Sequence, residues 1–114
     1  MSPRDWRMRV EDILEAIANA QAYIAGMRYE DFTDDLKTIR AVAYEIGTIG
    51  EAAAQMPESV TQRWPSLPWD KMRAMRNIVF HEYFRVDTAI LWQTVTSNFP
   101  PLVPLLRAML NHPP

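Results

Sequence analysis

The chain has 114 residues, enough for one domain with a single core and too few for two. Hydrophobic residues make up 48% and charged residues 23% of it, which excludes general disorder. Its formal net charge is -2, so any nucleic-acid binding has to come from a local basic footprint, not from the whole surface. The absence of cysteine rules out disulfides and thiolate metal sites, and two histidines, His81 and His112, are too few for a histidine-rich zinc site. No metal and no cofactor is implied. Three glycines provide little of the punctuation that a fold of many tight turns needs, so helix is favoured. No apolar run of about 18 residues exists, and Met1-Ser2-Pro3-Arg4-Asp5-Trp6 lacks the apolar centre of a signal peptide. A soluble cytoplasmic protein is expected, with residues 1–114 forming a single helical domain.

Ser2-Pro3-Arg4-Asp5 predicts a helix start, with Ser2 as cap, Pro3 at the first helical position and Asp5 at the third. Trp6, Val10, Ile13, Leu14, Ile17, Ala20 and Ile24 then recur at helical spacing to about Gly26. A polar connection holding Asp31 and Thr33 leads to a second helix. Its apolar stripe is Leu36, Ile39, Val42, Ala43, Ile46, Ile49, Gly50 and Ala53, and Pro57 ends it. Gly47 and Gly50 cost helix propensity there, and with Ala54 they point to close approach of another helix over small side chains. Between Pro57 and Pro68, residues 58–64 have room for a turn or two of helix. A third helix starts near Pro68-Trp69 and runs through Met72, Met75, Ile78 and Val79. Asp87 caps a fourth, which contains Ile90 to Val95 and is expected to end at Pro100-Pro101. A short last helix covers Leu102 to Leu110.

Chemistry concentrates in Arg76-Asn77-Ile78-Val79-Phe80-His81-Glu82-Tyr83. Arginine offers a planar fork of donors that fits phosphate, and histidine moves protons near neutral pH. Together they suggest phosphodiester chemistry. The charge follows the motif: between Arg63 and Arg85 five bases (Arg63, Lys71, Arg73, Arg76, Arg85) face two acids (Asp70, Glu82), whereas residues 1–40 carry six bases against eight acids. On a helical wheel Arg73, Asn77, His81 and Arg85 follow one another at i+4, so Asn77 can orient the His81 imidazole and Arg73 can hold a neighbouring phosphate. Arg76 sits about 140° from His81, on the apolar arc beside Phe80 and Tyr83. A buried guanidinium there needs an acid, a phosphate or a subunit boundary. Either the helix end is distorted or a two-fold dimer builds one site from both chains, and the dimer is preferred.

Plainer roles compete for several residues. One helix can carry an arginine-rich solvated face with no ligand, and a lone histidine is often structural. Tyr83 can pack with its hydroxyl at the rim. Trp64, Trp69 and Trp92 are expected as core or interface anchors, with base stacking by Trp69 a minor option. Met72, Met75 and Met109 are expected to fill gaps between helices. The acids Glu30, Asp31, Asp34 and Asp35 fit a solvated cluster at a helix start better than a cation site.

The order of short motifs resembles the HepT-like toxins of the HEPN superfamily. The matching pieces are Phe32 with Asp34-Asp35, Ile49-Gly50-Glu51-Ala52, Pro68-Trp69, the octet with its Arg-Asn-x3-His-x-Tyr pattern, and Val86-Asp87 and Trp92 after it. The resemblance spans nearly the whole chain. It implies an all-α fold, an antiparallel bundle of four main helices plus short extra ones, assembled as a homodimer with its site in the cleft between subunits. It further implies a metal-independent ribonuclease toxin with RNA as substrate and Arg76 and His81 as the catalytic pair. A cognate MntA-like minimal nucleotidyltransferase antitoxin would transfer AMP to Tyr83. Two other readings stay open at this point: a non-catalytic helical interaction partner, and a nucleotide-binding accessory of such a transferase in which Arg76 holds AMP.

Overall fold

The computed structural model describes residues 5–81 and 87–112, without the side chains of residues 78–81. Its elements are helices: α1 (Trp6–Tyr23), α2 (Tyr29–Thr33), α3 (Leu36–Ala54), α4 (Glu58–Thr61), α5 (Trp69–His81), α6 (Thr88–Gln93) and α7 (Phe99–Asn111). A π-helical turn, Thr94–Asn98, joins α6 to α7. No strand occurs among the described residues, as the sparse glycines predict.

The first helix starts later than expected. Asp5 is its cap, not its third residue: the backbone at Asp5 is extended and its carboxylate accepts from the Arg7 N–H at 3.3 Å. Ser2 and Pro3 lie outside the described residues. Past Tyr23 the chain turns through Gly26, whose φ of 78° belongs to the left-handed region that suits glycine. The polar connection that follows contains a helical turn of its own, α2. There the Asp31 carboxylate accepts from the Arg28 N–H at 2.9 Å, which with the Arg28 guanidinium holds its pKa below the usual carboxylate value. Asp35 caps α3, accepting from the Thr38 N–H at 3.1 Å and the Thr38 hydroxyl at 2.7 Å. Of the four acids in this stretch, Asp31 and Asp35 thus act as local caps, one at the start of α2 and one at the start of α3.

Helix α3 is the centre of the fold, with α1 packed along one side and α5 along another. Ile39, Val42, Ala43, Ile46, Ile49, Gly50 and Ala53 are buried as their spacing predicts. Leu36 is not: at the first turn it is 62% exposed. Met72 and Met75 of α5 and Met109 of α7 fill the core. Trp69 is buried, with its indole N–H donating to the Trp64 carbonyl at 2.9 Å, so its faces are not open to a base. Trp92 packs on Phe32 with ring centres 5.4 Å apart, and Trp64 on Trp6 at the same separation.

Pro100 and Pro101 do not end the fourth helix. A proline ring collides with the carbonyl four residues back and has no N–H to donate. The π turn meets both problems: the Phe99 N–H reaches back five residues to the Thr94 carbonyl, and the altered register puts the prolines in the first turn of a new α-helical stretch, where free N–H groups have no intrahelical partner anyway. The hydroxyls of Thr94 and Thr96 donate to the carbonyls of Ile90 and Trp92, each at 2.7 Å, easing the widened turn. Asp87 caps α6 as expected, accepting from Ala89 N–H at 2.9 Å and Ile90 N–H at 3.3 Å.

Candidate functional site

Helix α5 begins directly after Pro68 and carries an acid, Asp70, in its first turn, a favourable place beside the positive helix end. One turn on, Arg73 leans back to that acid, with Nη1 2.9 Å from Asp70 Oδ1. Exposed i,i+3 pairs of this kind contribute little stability, roughly 0 to 1 kcal/mol. Arg73 also lines a shallow groove of about 500 Å³ with Pro65, Leu67, Pro68 and Trp69, a setting in which a loosely paired cation can be recruited by an anion.

Arg76 is held from behind. A Cβ added to Gly50 of α3 would run into the backbone N of Arg76 and lie 2.8 Å from both its Cα and Cβ. The two helices therefore cross at Gly50 and Arg76 with nothing between their backbones, the close approach that the small residues of α3 predict. Ala54 takes no part, since it is exposed. The residue after Gly50 completes the arrangement: Glu51 Oε2 lies 3.4 Å from Arg76 Nε.

This corrects the expected surroundings of Arg76. The Arg76 side chain is 51% exposed and the Glu51 side chain 53%, so the guanidinium is not confined to an apolar arc. Its stem leaves the helix crossing and carries the charged head outward. Of the partners that a guanidinium on that arc would need, the chain itself supplies an acid. In water-like surroundings the attraction is only about 1 kcal/mol at this separation.

Asn77 is exposed on the next position of α5. The backbone stays α-helical through His81, which places His81 about 7.5 Å further along the axis than Arg76 and about 140° around it. No distortion of the described helix brings the two to one side. The imidazole of His81 and all of Tyr83 and Arg85 lie outside what is described, so their contacts with Asn77 and Arg73 do too.

Glu51 also borders a second groove, of about 380 Å³, between α1 and α3, together with Arg9, Asp12, Tyr44 and Thr48. The buried carboxylate of α3 is a different residue: Glu45 accepts from the Tyr23 hydroxyl at 2.8 Å. That hydrogen bond, aided by desolvation and the negative charge, raises the Tyr23 pKa above the usual phenol value. Among the described residues no cluster of three or more His, Cys, Asp or Glu has the geometry of a metal site, and no helix is long and apolar enough to cross a membrane.

The profile of the family described as ribonuclease HepT-like matches residues 13–109. The chain belongs to the ribonuclease HepT-like family. The match takes in Glu51, Arg73, Arg76, Asn77, His81 and Tyr83. The chain is 39% identical over 93 residues to the "Probable ribonuclease HepT" of Thermococcus cleftensis, covering 82% of this chain and 84% of that protein. A "Putative RNase" of Methanocaldococcus jannaschii is 32% identical over 100 residues, covering 88% and 83%. One of Caldanaerobacter subterraneus is 30% identical over 105 residues, covering 92% and 94%. No solved structure matches the chain.

Of the residues singled out in the sequence, the structure brings Arg73 and Arg76 onto one helix with an acid beside each. Glu51 was not among them as a site residue. The signal that points to it is its place directly after Gly50: a residue that follows the contact glycine of one helix lies within reach of the side chain that leaves the crossing on the other.

Proposed function

We propose that the protein is a toxin-type endoribonuclease that cleaves RNA without a metal ion, at a site built where two copies of the chain meet. The observation that carries the reading is Arg76: a guanidinium fixed at its backbone by the α3 crossing yet half exposed at its head, five residues before His81 on the same helix, in a chain of the ribonuclease HepT-like family. A cation so placed is ready to meet an anion. One helix presents Arg76 and His81 about 140° apart, so a two-fold pairing of α5 helices is the simplest way to bring an arginine and an imidazole to one phosphate.

In this reading the ribose 2′-hydroxyl is the nucleophile. The imidazole of His81 takes its proton, the 2′-oxygen bonds to phosphorus, and the bond from phosphorus to the 5′-oxygen breaks. The leaving oxygen takes a proton from the acid form of the motif's imidazole in the second copy, and the product end is a 2′,3′-cyclic phosphate. Arg76 stabilises the extra negative charge on the phosphorane, Arg73 holds the adjoining phosphate, and Asn77 orients the imidazole. The reaction needs no further nucleophile, because the substrate carries its own. Tyr83, a phenol with a usual pKa near 10, is a poor base at neutral pH. It serves as the acceptor of AMP from a cognate MntA-like nucleotidyltransferase. The added phosphate sets negative charge beside Arg76 and turns RNA away.

The test is cleavage of a single-stranded oligoribonucleotide by the purified chain in EDTA, with product ends identified by mass. Cleavage to a 2′,3′-cyclic phosphate, reduced by about 10²-fold or more in Arg76→Ala and in His81→Ala, is expected. Products with a 3′-hydroxyl and 5′-phosphate, or activity that EDTA abolishes, would refute the mechanism. A His81→Gln chain that keeps full biological effect would favour the non-catalytic reading.

A further inference from the structure

Arg76 has no acid on its own helix at i±3 or i±4: those positions hold Met72, Arg73, Val79 and Phe80. Its partner comes from α3, and the two consecutive residues Gly50 and Glu51 divide the task. Gly50 lets the Arg76 backbone lie directly against α3, and Glu51 reaches the guanidinium at Nε. From this geometry we infer that Glu51 is the positioning residue of Arg76, turning its guanidinium so that the outer pair of nitrogens is left to bind the scissile phosphate.

A guanidinium has two donor edges, one formed by Nε with a terminal nitrogen and one by the two terminal nitrogens. A carboxylate beside Nε restrains rotation about the end of the side chain and leaves the outer edge to another anion. The alternative role, a contact that merely stabilises the fold, fits the exposure poorly, because a pair this open to solvent contributes little. A second alternative is a competing charge that lowers RNA affinity and does nothing else. The two roles have opposite signatures. Removal of a competitor tightens RNA binding and leaves turnover intact, whereas removal of a positioning group leaves binding nearly unchanged and lowers turnover, since a small misplacement of a charge-stabilising group is costly in the transition state.

The inference rests on the ribonuclease reading, so the experiment pairs a kinetic readout with one that needs no activity. Wild type, Glu51→Gln and Glu51→Asp are compared in cleavage of a single-stranded oligoribonucleotide, in binding of its uncleavable 2′-deoxy analogue, and in the NMR signal of the Arg76 Nε–H, assigned by its loss in Arg76→Lys. For Glu51→Gln the expected result is a kcat lower by about 10- to 100-fold, analogue binding within a few-fold of wild type, an unchanged melting temperature and a shifted Nε–H signal. Glu51→Asp, which keeps the charge on a shorter stem, should recover part of the kcat. Full kcat in Glu51→Gln with tighter analogue binding overturns the positioning role in favour of a competing charge. An Nε–H signal that ignores Glu51→Gln overturns it as well. No cleavage by wild type, with the signal still answering to Glu51→Gln, refutes the ribonuclease reading and with it any catalytic use of the pair.

Discussion

Replacing Gly50 with alanine tests how the site is supported. In an ordinary exposed helix position this change stabilises, because alanine has the higher helix propensity by about 1 kcal/mol. Here the new methyl group would collide with the Arg76 backbone N and approach its Cα to 2.8 Å, well inside ordinary contact of about 3.5 to 4.0 Å between carbons. Backbone atoms cannot rotate away as a flexible side-chain tip can, so α5 must move off α3 by most of an ångström. Overpacking of this kind costs about 1 to 3 kcal/mol. Set against the propensity gain, the net loss is about 0 to 2 kcal/mol, a fall in melting temperature of up to roughly 10 °C for a domain of this size. The same shift carries Arg76 with it, so RNA cleavage should fall more than the loss of folded protein explains. Thermal melts at one fixed protein concentration, with cleavage assayed well below the transition, give both quantities. A Gly50→Ala chain that melts at or above the wild-type temperature and keeps full activity would refute the tight crossing and the support it gives to Arg76.

Acid should weaken the start of α3. The Thr38 hydroxyl, then the Thr38 N–H, hold the Asp35 pKa below its usual value; a carboxyl lowered on folding stabilises fully above its unfolded pKa of about 3.9 and loses that contribution as pH falls through the folded value. Asp35→Asn, which keeps the cap without the titration, should therefore melt near wild type at pH 7 and show a shallower loss below about pH 4, while Asp35→Ala should melt a few degrees lower at pH 7; equal acid profiles for wild type and Asp35→Asn would count against the assignment. Sedimentation at micromolar concentration should give a dimer that Arg76→Glu weakens, and a wild-type monomer would remove the shared-site proposal. Tyr83→Phe should keep RNA cleavage and escape silencing on co-expression with a cognate nucleotidyltransferase, with AMP found by mass spectrometry on the wild-type Tyr83 peptide; AMP on Tyr23, Tyr29 or Tyr44 instead would overturn that role.

Much of the fold is legible in the sequence because it depends on local rules. The 3.6-residue spacing of Val10, Ile13, Ile17 and Ala20, and of Ile39, Val42, Ile46 and Ile49, specifies which faces are buried. Asp87 marks a helix start, and Pro68-Trp69 marks another, through backbone geometry that needs no distant partner. The Arg-Asn-x3-His-x-Tyr pattern and its flanking motifs identify the family for the same reason: they are written in order along one chain. Other features depend on what lies across the helix axis. Pro100 and Pro101 look like a helix end until a π turn, stabilised by Thr94 and Thr96, shifts the register and lets the chain go on. Leu36 carries the right spacing for the core but stands 62% exposed at the start of its helix. Arg76 shares the apolar arc of its helix, yet Gly50 brings α3 so close that the long side chain is turned outward, where Glu51 meets it. A helical wheel gives the direction in which a side chain leaves its own helix; only the packed structure decides how near the next helix comes and which charge waits there.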